Sequence, residues 1–414
     1  MTDEGTGGGA AVTFEKVDIV FGEAPASALP LLDAGKTRSE INEATGQVIG
    51  VADASLAIEP GEICVLMGLS GSGKSTLLRA VNGLNAVTRG RVLVRHRGDQ
   101  VDVAACSPAT LRQLRTERIA MVFQQFALLP WRTVAENVGF GLELRGLPKA
   151  ERDRIVAEKL ELVGLGEWGG KYAHELSGGM QQRVGLARAF ATDADILLMD
   201  EPFSALDPLI RDKLQDDLLE LQRSLHKTIL FVSHDLDEAM KLGNRIAIME
   251  GGRIIQVGTP EDIVLNPAND YVAEFVAHMN PLRVLRGGSL MTPVEELACD
   301  GEELLLDRAG RLRLALDAEG RPSRVTGDGR PGELVAYAGE GRIADLPEGA
   351  FVVAPVELSM RAAIELRQAT GHPVILTEQG RAVGLCGDEE IYRGILRQSS
   401  HEPESRVPAD GTAA

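Results

Sequence analysis

Short apolar runs alternate with segments of helical periodicity through most of the chain. Ile63–Met67 is apolar on both faces and follows the turn Glu59-Pro60-Gly61-Glu62. Ile196–Met199 and Thr228–Val232 have the same character, and a predicted helix over about 211–225 lies between them. Short apolar runs bounded by turn residues are typical of buried parallel strands. Their alternation with helices predicts an α/β domain built on a parallel sheet.

The N-terminal part of the chain carries a strand and an inserted helical segment. Residues 1–11 consist mainly of Gly, Ala, Thr and acidic residues, a composition that predicts disorder. The apolar alternation from Val12 to Gly22 predicts an edge strand. Residues 23–48 interrupt this pattern, and within them Thr37-Arg38-Ser39-Glu40 fits a capping box, with Gly46 as the helix stop. We therefore expect a small helix between the first two strands.

A hairpin and a change of composition mark the end of the first domain. Arg245–Gln256 contains two alternating segments that meet at Gly251-Gly252, which predicts a hairpin, and Thr259 is the predicted cap of the next helix. After about Pro281 the chain becomes rich in Gly, Arg and acidic residues. We therefore place a boundary near residue 282 and divide the chain into two domains, residues 12–282 and residues 283–397.

The second domain is predicted to be a small α+β unit. Val374–Leu376 and Ala382–Leu385 are short apolar strands that pair across a turn, and a helix follows over about 388–397. Residues 398–414 are polar and contain two prolines, which predicts a disordered tail.

Charge and composition exclude several classes of protein. The chain has 414 residues and a net charge of −18, from 43 basic and 61 acidic residues. This excess of negative charge repels phosphate backbones, so we expect no nucleic-acid partner. The sequence has neither an apolar stretch of membrane-spanning length nor a secretion signal at its beginning. Its 4 cysteines lie far apart, which favours a reduced, cytosolic protein.

A phosphate-binding loop follows the strand at Ile63–Met67. The segment from Gly68 to Ser75 fits the pattern GxxxxGK[ST], and it lies after a buried strand and before a helix, as this motif requires. The glycines let backbone N–H groups curl around phosphates, while Lys74 would reach the β- and γ-phosphates and Ser75 would bind Mg²⁺. The candidate nucleotide-binding residues here are Gly68, Leu69, Ser70, Gly71, Ser72, Gly73, Lys74, Ser75 and Thr76.

Two carboxylates end the apolar strand at Ile196–Met199. Asp200 would hold Mg²⁺, directly or through water, and Glu201 would act as the general base toward the attacking water. An apolar strand that ends in Asp-Glu is also a common solvated strand end. The presence of a phosphate-binding loop favours the catalytic interpretation.

Three further segments are candidates for the same site. Ser177, Gly178 and Gly179 lie at a predicted helix start, where free N–H groups bind an anion or simply form a helix cap. His234 follows the strand at Thr228–Val232, where it is a candidate γ-phosphate contact, although a lone histidine is more often structural. Gln124 also follows an apolar segment and is a candidate ligand of Mg²⁺ and water.

These motifs together resemble the ATP-binding subunits of ABC transporters. The resemblance covers about residues 12–280, and the motifs occur in the order of that family. The segments that carry it are the loop at 68–75, Gln124, LSGGMQQR at 176–183, LLMDE at 197–201, Ser204-Ala205-Leu206-Asp207 and His234.

The resemblance implies a P-loop ATPase of the ABC type, with a mixed sheet core and a helical subdomain. It implies ATP and Mg²⁺ as cofactors and a head-to-tail homodimer that encloses two ATP molecules. Ser177 and Gly179 of one subunit would contact the γ-phosphate held by the partner subunit's Lys74. Asp207 would lie at the seam of this dimer.

A closer resemblance connects the chain to importers of glycine betaine, proline betaine and choline. Segments 21–50, 68–84, 121–138 and 201–222 are similar to those of quaternary amine uptake ATPases. The resemblance implies integral membrane permease subunits, an indirect partnership with a substrate-binding protein, and a peripheral position on the cytoplasmic face of the membrane. Residues 125–134 would then form the groove for a permease helix, with core packing as the alternative.

The chain departs from the family pattern at two places. The family usually stacks adenine on an aromatic residue before the loop, and here Phe21 or Phe14 must serve. Related subunits carry a pair of CBS modules, whereas only about 356–397 is CBS-like in this chain. A regulatory role for the second domain is the prediction, and a degenerate domain that only aids dimerisation is the alternative.

Other functions compatible with the motifs are less well supported. The main alternative is an ABC importer ATPase for another small solute. A soluble ABC-type ATPase that acts on DNA or ribosomes usually has a long coiled coil or a second cassette, and the interval from Lys74 to Ser177 is too short for such an arm. A sensor with an inert ATPase would lack the base or the metal ligand, whereas Asp200 and Glu201 are both present.

Overall fold

The computed structural model describes residues 9–396 except 278, 339–342, 344–345 and 348. The chain divides into two compact units, Met1–Thr259 and Pro260–Ala414. This division falls before the boundary that we predicted near residue 282. The difference arises because two helices between 260 and 276 pack against each other and belong to the second unit.

The first unit alternates strands and helices along the chain. Its strands are β1 (Val12–Phe21), β2 (Val48–Ile58), β3 (Ile63–Met67), β4 (Arg89–His96), β5 (Asp99–Asp102), β6 (Ile119–Val122), β7 (Ile196–Asp200), β8 (Thr228–Val232), β9 (Arg245–Glu250) and β10 (Arg253–Gly258). Its helices are α1 (Leu29–Asp33), α2 (Arg38–Thr45), α3 (Lys74–Ala80), α4 (Pro108–Gln113), α5 (Val134–Leu144), α6 (Lys149–Leu162), α7 (Gly178–Ala191), α8 (Pro208–Leu225) and α9 (Leu236–Leu242).

A mostly parallel sheet forms the centre of this unit. Its strand order is β10-β9-β3-β8-β7-β6, and only the β9–β10 hairpin is antiparallel. Every residue of β3, β7 and β8 is buried, which explains why these strands are apolar on both faces. The predicted buried strands and the predicted hairpin at Gly251-Gly252 are confirmed.

A second, antiparallel sheet has the order β2-β1-β4-β5. The prediction that β1 is an edge strand was wrong, because β4 pairs along its other side. The predicted disorder of residues 1–11 was also wrong at its last position. Ala11 is buried, and its N–H donates to the Ile58 carbonyl over 2.8 Å. Residues 1–8 lie outside the described residues.

One hydrophobic core joins the two sheets of this unit. Phe14, Leu56 and Val92 from the antiparallel sheet share a buried cluster with Leu66 and Leu198 from the parallel sheet. Helices α5, α6 and α7 pack against one another as a helical subdomain. The predicted α/β class, with a mixed sheet core and a helical subdomain, is confirmed.

The second unit is an α+β structure, as predicted. Its helices are α10 (Pro260–Leu265), α11 (Asp270–Val276), α12 (Gly287–Leu290), α13 (Met360–Thr370) and α14 (Asp388–Leu396). Its strands are β11 (Thr292–Pro293), β12 (Cys299–Asp300), β13 (Glu303–Leu305), β14 (Leu312–Leu316), β15 (Pro322–Gly327), β16 (Arg330–Pro331), β17 (Leu334–Ala336), β18 (Phe351–Pro355), β19 (Val374–Glu378) and β20 (Arg381–Cys386).

The second unit contains two separate sheets. One has the order β11-β20-β19-β18-β17 and contains the predicted β19–β20 hairpin. The other is the antiparallel meander β12–β16, which occupies the region where no second CBS-like repeat was apparent in the sequence. The predicted tail at 398–414 lies outside the described residues. Within the described residues, no helix combines the length and the apolar character that crossing a membrane requires.

Candidate nucleotide site

The glycine-rich loop connects β3 to α3 in a tightly curled conformation. Gly68, Gly71 and Gly73 have φ angles of +140°, +79° and +99°, a region that favours glycine. A side chain at Gly68 would place its Cβ only 2.1 Å from the Met249 carbonyl oxygen. The strand–loop–helix geometry that the motif requires is therefore present, and it depends on these glycines.

Lys74, the first residue of α3, directs its ammonium group into the loop. Its Nζ donates to the carbonyl oxygens of Gly68 and Leu69 over 2.7 and 3.0 Å. Burial lowers the pKa of Lys74, while the charges of Glu201 and Asp200 act in the opposite direction. The hydroxyl group of the buried Ser72 has no hydrogen-bond partner within the described residues. A cation and this hydroxyl group thus lie in a curled loop of the kind that binds anions.

Asp200 ends β7 beside the start of α3. It is fully buried, and one carboxylate oxygen accepts a hydrogen bond from Ser75 Oγ over 2.6 Å. The other oxygen accepts from Arg79 Nε and Nη2 over 3.1 and 2.8 Å. Two of the three predicted metal ligands, Ser75 and Asp200, are therefore adjacent, while the third, Gln124, contacts Glu201. The partner Arg79 was missed by the sequence analysis because no motif singles out that position.

Glu201 forms the centre of a second group of side chains. Gln124 Nε2 donates to Glu201 Oε2 over 3.1 Å, and His234 Nδ1 lies 3.2 Å from the same oxygen. Glu201 itself has a φ of +48°, a strained backbone conformation that clusters at functional sites. The three predicted catalytic side chains, which are far apart in the sequence, are therefore in contact.

The motif at 176–183 forms the start of α7. Ser177 is the N-cap, and its side chain accepts a hydrogen bond from the Met180 N–H over 3.4 Å. The N–H groups of Gly178 and Gly179, in the first turn, have no acceptor within the helix. Gln182 of the same helix donates through Nε2 to the Glu201 carbonyl over 3.4 Å, a contact that the sequence analysis also missed. Ser177 and Gly178 are exposed at the surface, where a second molecule can reach them.

The structure distinguishes the two aromatic candidates. Phe14 is buried in the core with an exposed fraction of 1%, so its ring faces no ligand. Phe21 is 42% exposed, and its ring lies beside Gly50 together with the Thr76 methyl group. Because Thr76 belongs to the first turn of α3, Phe21 lies next to the nucleotide loop.

Asp207 is the N-cap residue of α8. Its side chain caps the helix by accepting from the Ile210 N–H over 3.1 Å. The residue is exposed, as are Leu69, Ser70 and Gly71 at the tip of the loop. The predicted role of Asp207 at a dimer seam stays a prediction.

The fold and this site together define a P-loop ATPase of the ABC type. The model of the ABC transporter family matches residues 51–204. The chain is 50% identical over 412 residues to the glycine betaine transport ATP-binding protein OpuAA of Bacillus subtilis, covering 97% of this chain and 95% of that protein. The chain therefore belongs to the ABC transporter ATP-binding proteins, in the group formed by the ATPases of quaternary amine importers.

Two further comparisons extend this result. Over 256 residues the chain is 56% identical to the glycine betaine/proline betaine transport system ATP-binding protein ProV of Escherichia coli, a match that spans 62% of this chain and 63% of that protein. Among solved structures, the chain is similar to the dimeric structure of the ATP-binding cassette MJ0796 in a post-hydrolysis state, bound to ADP and Pi. The match has a TM-score of 0.52 and 28% identity, and it covers 60% of this chain and 98% of the MJ0796 chain.

Proposed function

We propose that this chain is the ATP-hydrolysing subunit of an importer for quaternary amines, in the chemical range of glycine betaine, proline betaine and choline. The observation that carries this proposal is the convergence of Lys74, Asp200 and Glu201 with Gln124 and His234 at one edge of the parallel sheet. The names of the relatives from B. subtilis and E. coli support the class of substrate. In this proposal the amine is bound by other subunits.

The donor atoms at Asp200 fit a magnesium ion. Mg²⁺ prefers oxygen ligands and is usually held by one or two side chains together with substrate phosphates. The Ser75 hydroxyl and the Asp200 carboxylate, 2.6 Å apart, supply such oxygens, and Gln124 adds an amide oxygen. We propose these three residues as the ligands. When bound, the ion would neutralise charge on the transferring phosphoryl group.

Glu201 would accept the proton of the attacking water. Its contacts with Gln124 and His234 hold the carboxylate in one orientation. His234 Nδ1 lies 3.2 Å from the Glu201 carboxylate, and in this proposal the histidine contacts the γ-phosphate. Lys74 and the loop N–H groups would bind the β- and γ-phosphates and stabilise the charge that develops on them.

ATP would be enclosed between two copies of this chain. The exposed N-terminus of α7 provides N–H donors from Gly178 and Gly179 and the hydroxyl of Ser177, which suit the γ-phosphate bound by the partner subunit's Lys74. Because these contacts exist only in the closed dimer, ATP would stabilise closure by differential affinity, and hydrolysis would release it. The dimeric state of the MJ0796 cassette supports this arrangement.

The segment after Gln124 presents a large exposed apolar side chain that suits contact with a permease helix. Trp131 is 71% exposed, which favours a docking role over core packing for this residue. We propose that residues 125–134 receive a permease subunit and hold the chain on the cytoplasmic face of the membrane. The opening and closing of the dimer would then move the permease between its two orientations.

We propose a regulatory role for residues 283–397, with the CBS-like part at about 356–397. The segment Gly371-His372-Pro373-Val374 leads into β19, and Gly384-Leu385-Cys386-Gly387-Asp388 joins β20 to α14. A unit that only aids dimerisation is the competing interpretation.

Uptake measurements test the proposed function directly. In cells that lack this chain, uptake of radiolabelled choline or glycine betaine should be lost, and the wild-type chain should restore it. The Glu201→Gln variant should restore none, and we expect it to fold and to bind ATP. Unchanged uptake of both amines without the chain would contradict the class of substrate. Restored uptake with Glu201→Gln would contradict the role of hydrolysis.

A further inference from the structure

The helical insertion between β1 and β2 is firmly attached to the antiparallel sheet. Its side chains Ala28, Leu32 and Ile41 are buried with Val20 and Ile49 in a small hydrophobic cluster of their own. The predicted capping box of α2 is present, and Gly46 ends the helix in a left-handed conformation. These features make the insertion an ordered part of the unit.

Polar contacts hold both ends of the insertion. The Gln47 side chain accepts a hydrogen bond from the Ala24 N–H over 3.1 Å, and this bond connects the two ends of the insertion. Arg89 bridges two carboxylates. It donates to Asp33 of the insertion over 2.8 and 2.9 Å and to Asp18 of β1 over 2.6 Å. The insertion therefore provides a fixed platform beside the nucleotide loop.

One side chain connects this platform to the loop. Arg38, the first residue of α2, donates through Nη1 to the Gly71 carbonyl oxygen over 3.0 Å. Its Nη2 donates to the Ile49 carbonyl oxygen at the start of β2. The guanidinium group thus bridges a strand of the sheet and the exposed tip of the loop, where Gly71 has a φ of +79°.

We propose that Arg38 is a positioning residue, which holds the Gly71 turn of the loop in the conformation that receives nucleotide. The proposal rests on the proposed function, in which this loop binds ATP. A loop that is ordered in advance loses less conformational entropy on binding. The planar guanidinium group is suited to this task because its donors hold a fixed geometry toward two acceptors.

This role predicts a particular pattern of binding and kinetics. Arg38 acts on the loop and not on the reacting atoms, so its loss should weaken ATP and ADP to the same extent. A uniform loss of binding raises KM and leaves kcat unchanged. Since the bonds to Gly71 and Ile49 are partly exposed, we expect Kd to rise about three- to tenfold.

The test compares Arg38→Met and Arg38→Lys with Lys36→Met in the full-length chain. Lys36 lies two residues before Arg38 and carries the same charge, and it forms an exposed ion pair with Glu40. Titration with fluorescent ATP and ADP analogues should show the full loss of affinity for Arg38→Met, an intermediate loss for Arg38→Lys and none for Lys36→Met. Hydrogen exchange at residues 70–73 should be faster in Arg38→Met only.

Two results would overturn the proposal. One is equal affinity of Arg38→Met and Lys36→Met for both nucleotides. The other is a loss of binding sites in Arg38→Met in proportion to unfolded protein, with normal affinity in the remainder and unchanged exchange at 70–73. Failure of the wild-type chain to bind either analogue would instead contradict the proposed function, so the two failures are distinguishable.

Discussion

The two units differ in the surroundings of the polar side chains that follow their strands. In the first unit, Lys74, Glu201 and His234 follow β3, β7 and β8 and converge on a common site. In the second unit, Glu390 of α14 is buried and accepts from Thr292 Oγ1, the Gly387 N–H and Arg393 over 2.5, 2.8 and 3.1 Å. The first unit groups side chains from three strand ends around one carboxylate, whereas the second unit surrounds its buried carboxylate with donors from neighbouring segments.

This difference shows where chemistry is possible in the chain. Glu201 lies where parallel strands end, which is the edge at which α/β sheets bind ligands, whereas Glu390 lies on a helix that packs in the second unit. A strained Glu201 and a buried, loop-bound Lys74 are costly for folding and are explained by a function.

Glu201→Gln should reduce ATP hydrolysis by about 10²–10⁴-fold, because an amide cannot accept the proton of the attacking water. ATP affinity should be unchanged, since the amide keeps the shape of the side chain. Phosphate release by the purified chain measures this effect. Glu158→Gln, at an exposed position beside Lys159, is the control and should retain full activity. Equal rates for both variants would remove Glu201 from its proposed role.

Lys74→Ala should weaken ATP binding by about 100-fold or more, because the loop loses its cation and the phosphates lose a charged donor. Titration with a fluorescent ATP analogue measures this loss. Lys149→Ala removes the same charge from the surface of α6, where Lys149 pairs with Asp153, and should bind normally. Wild-type affinity in Lys74→Ala would contradict a phosphate site at this loop.

Phe21→Ala should weaken ATP binding by about tenfold, because stacking of a base on an aromatic ring contributes ~1–3 kcal/mol. The Phe21→Tyr variant keeps the ring and should bind like the wild type. Inorganic triphosphate lacks adenine, so its affinity should not change in either variant. A loss of affinity for triphosphate in Phe21→Ala would show that the side chain supports the loop instead of the base.

The smallest expected effect concerns His372 of the second unit. Its ring stacks on Phe351 with centroids 4.1 Å apart. Burial lowers the pKa of His372 below the ordinary 6.5, and Arg367 acts in the same direction, while a hydrogen bond with the Gly349 backbone and the charge of Asp328 oppose the shift. Because the folded unit favours the neutral ring, this stability is complete above pH 6.5 and is lost as the pH falls through the lowered pKa.

Thermal unfolding measures this dependence on pH. Between pH 7.5 and 5 the unfolding temperature of the second unit should fall by about 2 °C more in the wild type than in His372→Phe, which keeps the stacked ring without a titrating group. An identical pH dependence in both chains would show that His372 does not contribute. The nucleotide affinity of the first unit should be the same in both.

The sequence predicts the nucleotide loop well because its parts are contiguous. A buried strand, a glycine-rich turn and a helix start follow one another at 63–75, so local rules determine their geometry. The same rules identified the capping box at Thr37 and the N-cap at Ser177. The contacts of Glu201 with Gln124 and His234 followed from strand ends that meet at one edge of a sheet.

Local sequence patterns did not predict the contacts between segments that are distant along the chain. No motif singles out Arg38 or Arg79 as a contact, and only the fold brings them to Gly71 and Asp200. The edge assignment of β1 failed because β4 was not recognised as its partner. The meander of the second unit was not predicted, because strands of two to six residues give a weak periodic signal.

The central claim is that two copies of the chain hold the nucleotide between them. The mass of the Glu201→Gln variant in saturating ATP and Mg²⁺ tests this claim most directly. Light scattering should report a dimer with ATP and a monomer without nucleotide. Adding Ser177→Arg should restore the monomer while ATP still binds, because the arginine blocks closure without touching the subunit's own loop. A Glu201→Gln chain that stays monomeric with ATP bound, even beside its permease, would contradict the account.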